Sequence, residues 1–145
     1  MNKNVLRVGI DVSKEHLDCA LTVDGVIILS TKRVKNNLLG FNATETWIGK
    51  HCKKNMCDEI HICFESTGVY DDDLADYLFE KGKYKISIVN PMQTKGFARS
   101  MMLRTKTDKV DAGMLAIYCA KGNPRASLKV PHEIMVFKKL QSRAW

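Results

Sequence analysis

Four acidic side chains are spaced so that an ordinary fold can gather them: Asp11, Glu65, Asp108 and Asp111. Asp11 lies at the end of a β-rich run, and Glu65 ends the compact run Glu-Ile-His-Ile-Cys-Phe-Glu. Asp108 and Asp111 stand three apart in a stretch of helical spacing, where such side chains share a face about 5–6 Å apart. If the strands ending in Asp11 and Glu65 are parallel neighbours, both acids leave the sheet at one edge, and the helical pair can close over them. Four like charges that near would raise one another's proton affinity. A hard divalent ion, Mg²⁺ or Mn²⁺, relieves the repulsion because it prefers oxygen ligands. Two such ions about 3.5–4 Å apart activate a water or hydroxyl and stabilise the leaving oxygen of a phosphodiester. Singly, each acid has a plainer role: a turn former, a neighbour of the next helix, or a charge suited to a helix's positive end. Their joint placement carries the chemical reading.

The elements that must hold these acids follow from periodicity. Residues 5–12 form a β-rich run, and 16–23 alternate with Leu17, Cys19, Leu21 and Val23 on one side. Asp24-Gly25 signals a two-residue hairpin, returning as a third strand over 26–34. Helical spacing covers 37–53, then a strand over 59–65, a Ser-Thr-Gly turn and a helix over 70–81 with Asp71, Asp72 and Asp73 in its first turn. A strand over 85–90 ends at Pro91. A helix is expected over 93–103 and another over 107–121, capped by Thr107, with Val110, Met114, Leu115, Ile117 and Tyr118 as its apolar face. A last helix begins past Pro131. This order, β-β-β-α-β-α-β-α, predicts an α/β fold with a mixed five-stranded sheet and helices on both faces. Ligands gather at the C-terminal ends of adjacent parallel strands in such sheets.

The chain has 145 residues, room for one domain with a real core. Neither an export signal nor an apolar run of membrane-spanning length is evident, so a cytoplasmic protein with no membrane partner is expected. Five cysteines without Cys-x-x-Cys spacing read as reduced thiols. His51, Cys52, Cys57 and His61 fit no standard zinc spacing and read as scattered core and polar positions. Charge is unevenly placed. Up to Pro91 there are 12 Lys+Arg against 13 Asp+Glu, and from Met92 to Trp145 there are 11 against 3. An excess confined to one segment points to a polyanionic partner, with a solvated face as the plainer alternative. Ser13 and Lys14 can touch a phosphate or cap a turn. Thr67 and Gly68 form the turn that aims Glu65, and Tyr70 is expected to be buried under its helix rather than to stack on a base.

Four blocks together resemble a known family: Gly-Ile-Asp-Val-Ser-Lys (9–14), Phe-Glu-Ser-Thr-Gly-Val-Tyr (64–70), Val-Asn-Pro-Met-Gln (89–93) and Arg-Thr-Lys-Thr-Asp-Lys-Val-Asp-Ala (104–112). In order and spacing they are similar to the N-terminal domain of the DEDD-type insertion-sequence transposases, a group that includes the Piv-type DNA invertases. The resemblance implies an RNase H-like, RuvC-type domain with Asp11, Glu65, Asp108 and Asp111 as metal-binding acids. It further implies Mg²⁺- or Mn²⁺-dependent DNA strand cleavage and transfer, with DNA as partner, a guide RNA from the same element, and homo-oligomers of the full-length protein. Lys14, Lys95, Arg99, Arg104, Lys106 and Lys109 are the candidate nucleic-acid contacts. Family members are longer, with a helical spacer and a C-terminal domain supplying a nucleophilic serine. Residues 1–122 are therefore expected to be the catalytic domain and 123–145 a linker entering that spacer, so that this stretch alone would not complete recombination.

Two other classes compete. Sugar-kinase and actin-like ATPases also open with Gly-Ile-Asp and a hairpin, but they need a second lobe that 145 residues cannot hold. A non-catalytic nucleic-acid-binding or dimerisation module is the alternative, separated from the enzyme by whether a divalent cation binds.

Overall fold

The computed structural model describes residues 3–101 and 110–128. Its elements are β1 (Val5–Val12), β2 (His16–Thr22), β3 (Ser30–Lys35), α1 (Leu38–Lys54), β4 (Glu59–Glu65), α2 (Asp72–Lys81), β5 (Lys85–Val89), α3 (Pro91–Ser100) and α4 (Ala112–Gly122). They build one mixed sheet of order β3-β2-β1-β4-β5, antiparallel from β3 to β1 and parallel from β1 to β5.

Alternation along each strand sorts side chains between two faces. Leu6, Val8 and Ile10, Leu17, Cys19 and Leu21, Ile62 and Phe64, and Ile86 face one way and bury themselves under Phe41, Trp47 and Ile48 of α1 and Leu74 and Leu78 of α2. Asn37 caps α1 by accepting from the Gly40 amide. The other face is covered by α4, whose Leu115 and Cys119 pack on Cys63 and Val89, and whose Ala112 and Ala116 pack on Ala20. The buried side of α4 is thus alanine-rich, which lets its backbone approach the sheet. Residues 124–128 run beside β5, with the Ser127 amide donating to the Ile86 carbonyl.

Three local expectations are corrected. Asp24-Gly25 does not make a two-residue hairpin: Asp24 Oδ1 accepts from the amides of both Val26 and Ile27, and Thr22 Oγ1 donates to the Ile27 carbonyl. That side-chain turn consumes residues that would otherwise pair, so β3 starts at Ser30 rather than Val26. The helix expected from Thr107 begins at Ala112, because Asp111 is extended and caps it by accepting from the Met114 amide (2.9 Å); Thr107 itself lies outside the described residues. Tyr70 is 47% exposed rather than buried. Among the described residues no helix is long and apolar enough to cross a membrane.

One polar knot joins the helices of the first face. Glu45 of α1 accepts hydrogen bonds from Tyr77 Oη of α2 (2.9 Å) and Tyr84 Oη (2.7 Å), with Lys83 Nζ at 3.1 Å. Burial pushes its carboxyl up, but the donors from Tyr84, Tyr77 and Lys83 outweigh that and hold it at about 2. A carboxylate depressed in the folded state stabilises fully above its ordinary value and loses that contribution as pH falls toward the depressed one. Glu45→Gln is therefore expected to cost about 1–2 kcal/mol near pH 7. Urea midpoints of variant and parent should converge as pH falls from 4.5, Glu45's ordinary value, toward 2.

Candidate active site

Strand register brings the first two acids level. Val5 to Ile10 pair with Glu59 to Phe64, and one more step sets Asp11 beside Glu65 on neighbouring parallel strands about 4.8 Å apart. Both project toward the α4 face, since Ile10 and Phe64 project the other way. The third acid arrives through a close contact. Gly9, two residues before Asp11 on the same face, lies directly beneath α4: a Cβ there would stand 2.3 Å from the Ala112 carbonyl oxygen and 2.3 Å from the Ala116 nitrogen. Glycine at position 9 lets the helix start over β1, which carries its cap, Asp111, to Asp11.

Asp11 and Asp111 line a cavity of about 520 Å³ with Asp18, Ala20, Thr31, Lys32, Arg33 and Gly113 among its walls. The first turn of α4 lines it, so the positive end of the helix lies beside the carboxylates. Asp18 stands directly opposite Asp11 in the β1–β2 register. Like charges so placed repel, and Arg33 on β3 answers Asp18 at 3.3 Å in an exposed pair. Pairs of this kind contribute about 0–1 kcal/mol.

Glu65 is half-buried and engaged from α3: its Oε2 accepts from Thr94 Oγ1, and Thr94 is fully buried. The turn after Glu65 is latched by Asp71, whose Oδ1 accepts from Thr67 Oγ1 (2.6 Å) and the Thr67 amide (3.1 Å). Asp108 lies outside the described residues, as do Arg104, Lys106 and Lys109. Lys14 is exposed at the β1–β2 turn, which Ser13 closes with its amide and hydroxyl on the His16 carbonyl. Lys95 and Arg99 sit four apart on α3, half-buried and exposed respectively.

The donors at this edge are carboxylate oxygens, a set suited to a hard divalent ion. Among the described residues, however, the trio whose ligand atoms all lie within 4.8 Å is His61, Cys63 and Cys119. Its histidine is already committed. Arg7 Nη1 donates to His61 Nδ1 (2.6 Å), His61 Nε2 lies 2.7 Å from Ser87 Oγ, and Ser87 Oγ donates to the Arg125 carbonyl (2.7 Å). This buried chain ties β1, β4, β5 and residue 125 together. Cys52 and Cys57 pack against the opposite face of the sheet.

Asp18 and Thr94 join the site without having stood out in the sequence. Asp18 has a signal, since it occupies the polar phase of β2, but its partner depends on a hairpin register that the Asp24 turn conceals. Thr94 has none beyond its place three residues after Pro91.

The family model for DEDD transposases of IS110 type, described as a transposase, matches residues 8–143. The chain belongs to this DEDD transposase family. Among curated relatives it is 37% identical over 117 residues to the pilin gene-inverting proteins of Moraxella bovis and Moraxella lacunata, matching 81% of this chain and 35% of each relative. This family member thus spans about a third of those relatives' length. In fold it is similar to Thermus thermophilus RuvC, with a TM-score of 0.55 at 17% identity over 84% of this chain and 99% of that one. RuvC of the same organism in complex with a Holliday junction substrate gives 0.51 at 16% identity, covering 85% and 99%. The fold expectation, an RNase H-like sheet of RuvC type, is met, and α3 and α4 fall on the two helices expected after the last strand.

Proposed function

We propose that this chain is the strand-cleaving unit of a DNA transposase or site-specific recombinase, working with Mg²⁺ or Mn²⁺ held by Asp11, Glu65, Asp108 and Asp111. The supporting observation is geometric: Asp11 and Asp111 line one cavity, with Glu65 level with Asp11 on the adjoining strand. When bound, the divalent ions would polarise a water or hydroxyl and offset charge at a phosphodiester. The chain's own groups prepare that edge. Thr94 donates to Glu65 Oε2, Asp111 Oδ1 caps α4, and the positive end of that helix favours the Asp111 carboxylate. Lys14, Lys95 and Arg99, with Arg104, Lys106 and Lys109, hold the DNA backbone beside them. Residues 1–122 form the catalytic unit on this reading, and 123–145 lead toward the serine-bearing region. Full recombination draws on that region and an oligomer of the full-length protein, with a guide RNA from the same element as a partner in choosing DNA, in the cytoplasm at the nucleoid.

A non-catalytic nucleic-acid-binding or dimerisation module is the second reading, favoured by the absence, among the described residues, of three acid oxygens within 4.8 Å of one another. Titration with Mn²⁺ and incubation with branched DNA decide between them. Saturable binding near one or two ions per chain, weakened at least tenfold in Asp11→Ala, supports the nuclease. DNA binding with no Mn²⁺ site supports the module.

A further inference from the structure

We propose that Thr94 is a positioning residue for Glu65, holding that carboxylate in the orientation that receives a divalent cation; this rests on the nuclease reading above. Glu65 is the last residue of β4, still paired with Val89 of β5, and backbone pairing of this kind does not fix side-chain torsions. Thr94 supplies the constraint. Its hydroxyl has one proton and two acceptors in reach, Glu65 Oε2 and the Pro91 carbonyl at 2.9 Å. The charged acceptor makes the stronger bond, roughly twice a neutral one, so the proton goes to Glu65.

The helix that carries Thr94 is capped and packed. Asn90 caps α3 by accepting from the Met92 amide (2.8 Å), and Pro91 sets the first helical φ. Ala98 is fully buried, and the Phe97 ring meets Tyr118 of α4 edge-on at 5.2 Å. A buried hydroxyl on so fixed a helix selects one Glu65 rotamer. It takes one carboxylate oxygen and leaves the other for a ligand. The same helix carries Lys95 and Arg99, so a phosphate backbone held there is tied to the orientation of Glu65 through the adjacent Thr94.

The test is the Mn²⁺ dissociation constant of the whole chain, read by electron paramagnetic resonance of the free ion. Partners that orient metal ligands contribute about 10–100-fold in affinity. Thr94→Val keeps the side-chain shape and removes the donor, and should weaken binding about tenfold or more. Thr94→Ser keeps the donor and should stay within about threefold of the parent. Thr94→Ala, which cannot overpack, serves if the valine variant melts early. Loss in Val or Ala with recovery in Ser supports the proposal, because a role confined to packing would not follow the hydroxyl. Val and Ala variants that bind like the parent, in a protein whose Asp11→Ala variant does not bind, would overturn the Thr94 proposal alone. A parent that binds Mn²⁺ no better than its Asp11→Ala variant would overturn the nuclease reading and this inference with it.

Discussion

Asp11→Asn is expected to empty the acid cavity of divalent cation and to lower cleavage of branched DNA by about a thousandfold or more, while DNA binding holds or tightens. The size follows from position. Asp11 is at the centre of the site: level with Glu65 on one side, opposite Asp18 on the other, and sharing a cavity with Asp111. On the nuclease reading proposed above, removing its charge takes away the ligand between Glu65 and Asp111. Metal stabilisation of charge at a phosphoryl oxygen is worth several kcal/mol, and each 1.36 kcal/mol is about tenfold in rate. DNA affinity moves the other way because the substitution removes a negative charge from the surface meeting a polyanion. Stability should change little or rise slightly, since the repulsion between Asp11 and Asp18 is relieved, an effect of about 0.2–1 kcal/mol. Asp18→Asn is the informative companion. Its carboxylate is engaged by Arg33 at an exposed position, so its effect on Mn²⁺ affinity should be tenfold or less. Equal losses in the two variants would mean that the cavity's total charge, and not a ligand at position 11, governs binding.

Much of this arrangement is legible in the amino-acid sequence, and the reason lies in where the information resides. Composition and alternation are local, so a β-rich run marks β1, alternation marks β2 and the compact run over 59–65 marks β4, which keeps those bounds. An acid that closes a strand in a parallel pair must emerge at the strand's end, so the sequence places Asp11 and Glu65 together once β1 and β4 are neighbours, as the sheet order makes them. The departures at Asp24 and Asp111 share one physical cause: side-chain oxygens of aspartate competing with backbone pairing. At Asp24 the carboxylate captures two amides and displaces the start of β3. At Asp111 it caps the helix from outside, so the residue sits before α4 and not on its surface three positions from Asp108. Thr94 is hidden for another reason. Its meaning depends on α3 folding back against the end of β4, a contact no spacing rule between positions 65 and 94 encodes. Tyr70, expected under its helix, stands outside because α2 begins two residues later and buries Leu74 and Leu78 instead.

Gly9→Val should be as damaging to the site as the loss of Asp11, without touching a single acid. The atoms that a Cβ at Gly9 would meet at 2.3 Å are the Ala112 carbonyl oxygen and the Ala116 nitrogen, with the Leu115 carbonyl carbon at 2.8 Å. All belong to the backbone of α4, so no rotamer change relieves the clash and the helix itself must lift. Overpacking a core costs about 1–3 kcal/mol where side chains can give way. Here the displacement also strips contacts from Leu115, Ala116 and Cys119, all fully buried. A loss of about 3 kcal/mol or more is expected for alanine, with a further loss for valine. Any folded fraction should bind Mn²⁺ poorly, since raising the start of α4 separates Asp111 from Asp11. Gly49→Ala is the control: nothing lies within 4 Å of a Cβ there, inside α1. Alanine should stabilise that helix by about 0.5–1 kcal/mol. Thermal melts of the three proteins, with Mn²⁺ titrations of whichever remain folded, distinguish steric seating of α4 from a general intolerance of change at glycine. A Gly9→Val protein that melts with the parent and binds Mn²⁺ normally would show that α4 does not lie against β1 at this position, and that Asp111 reaches the cavity by another route.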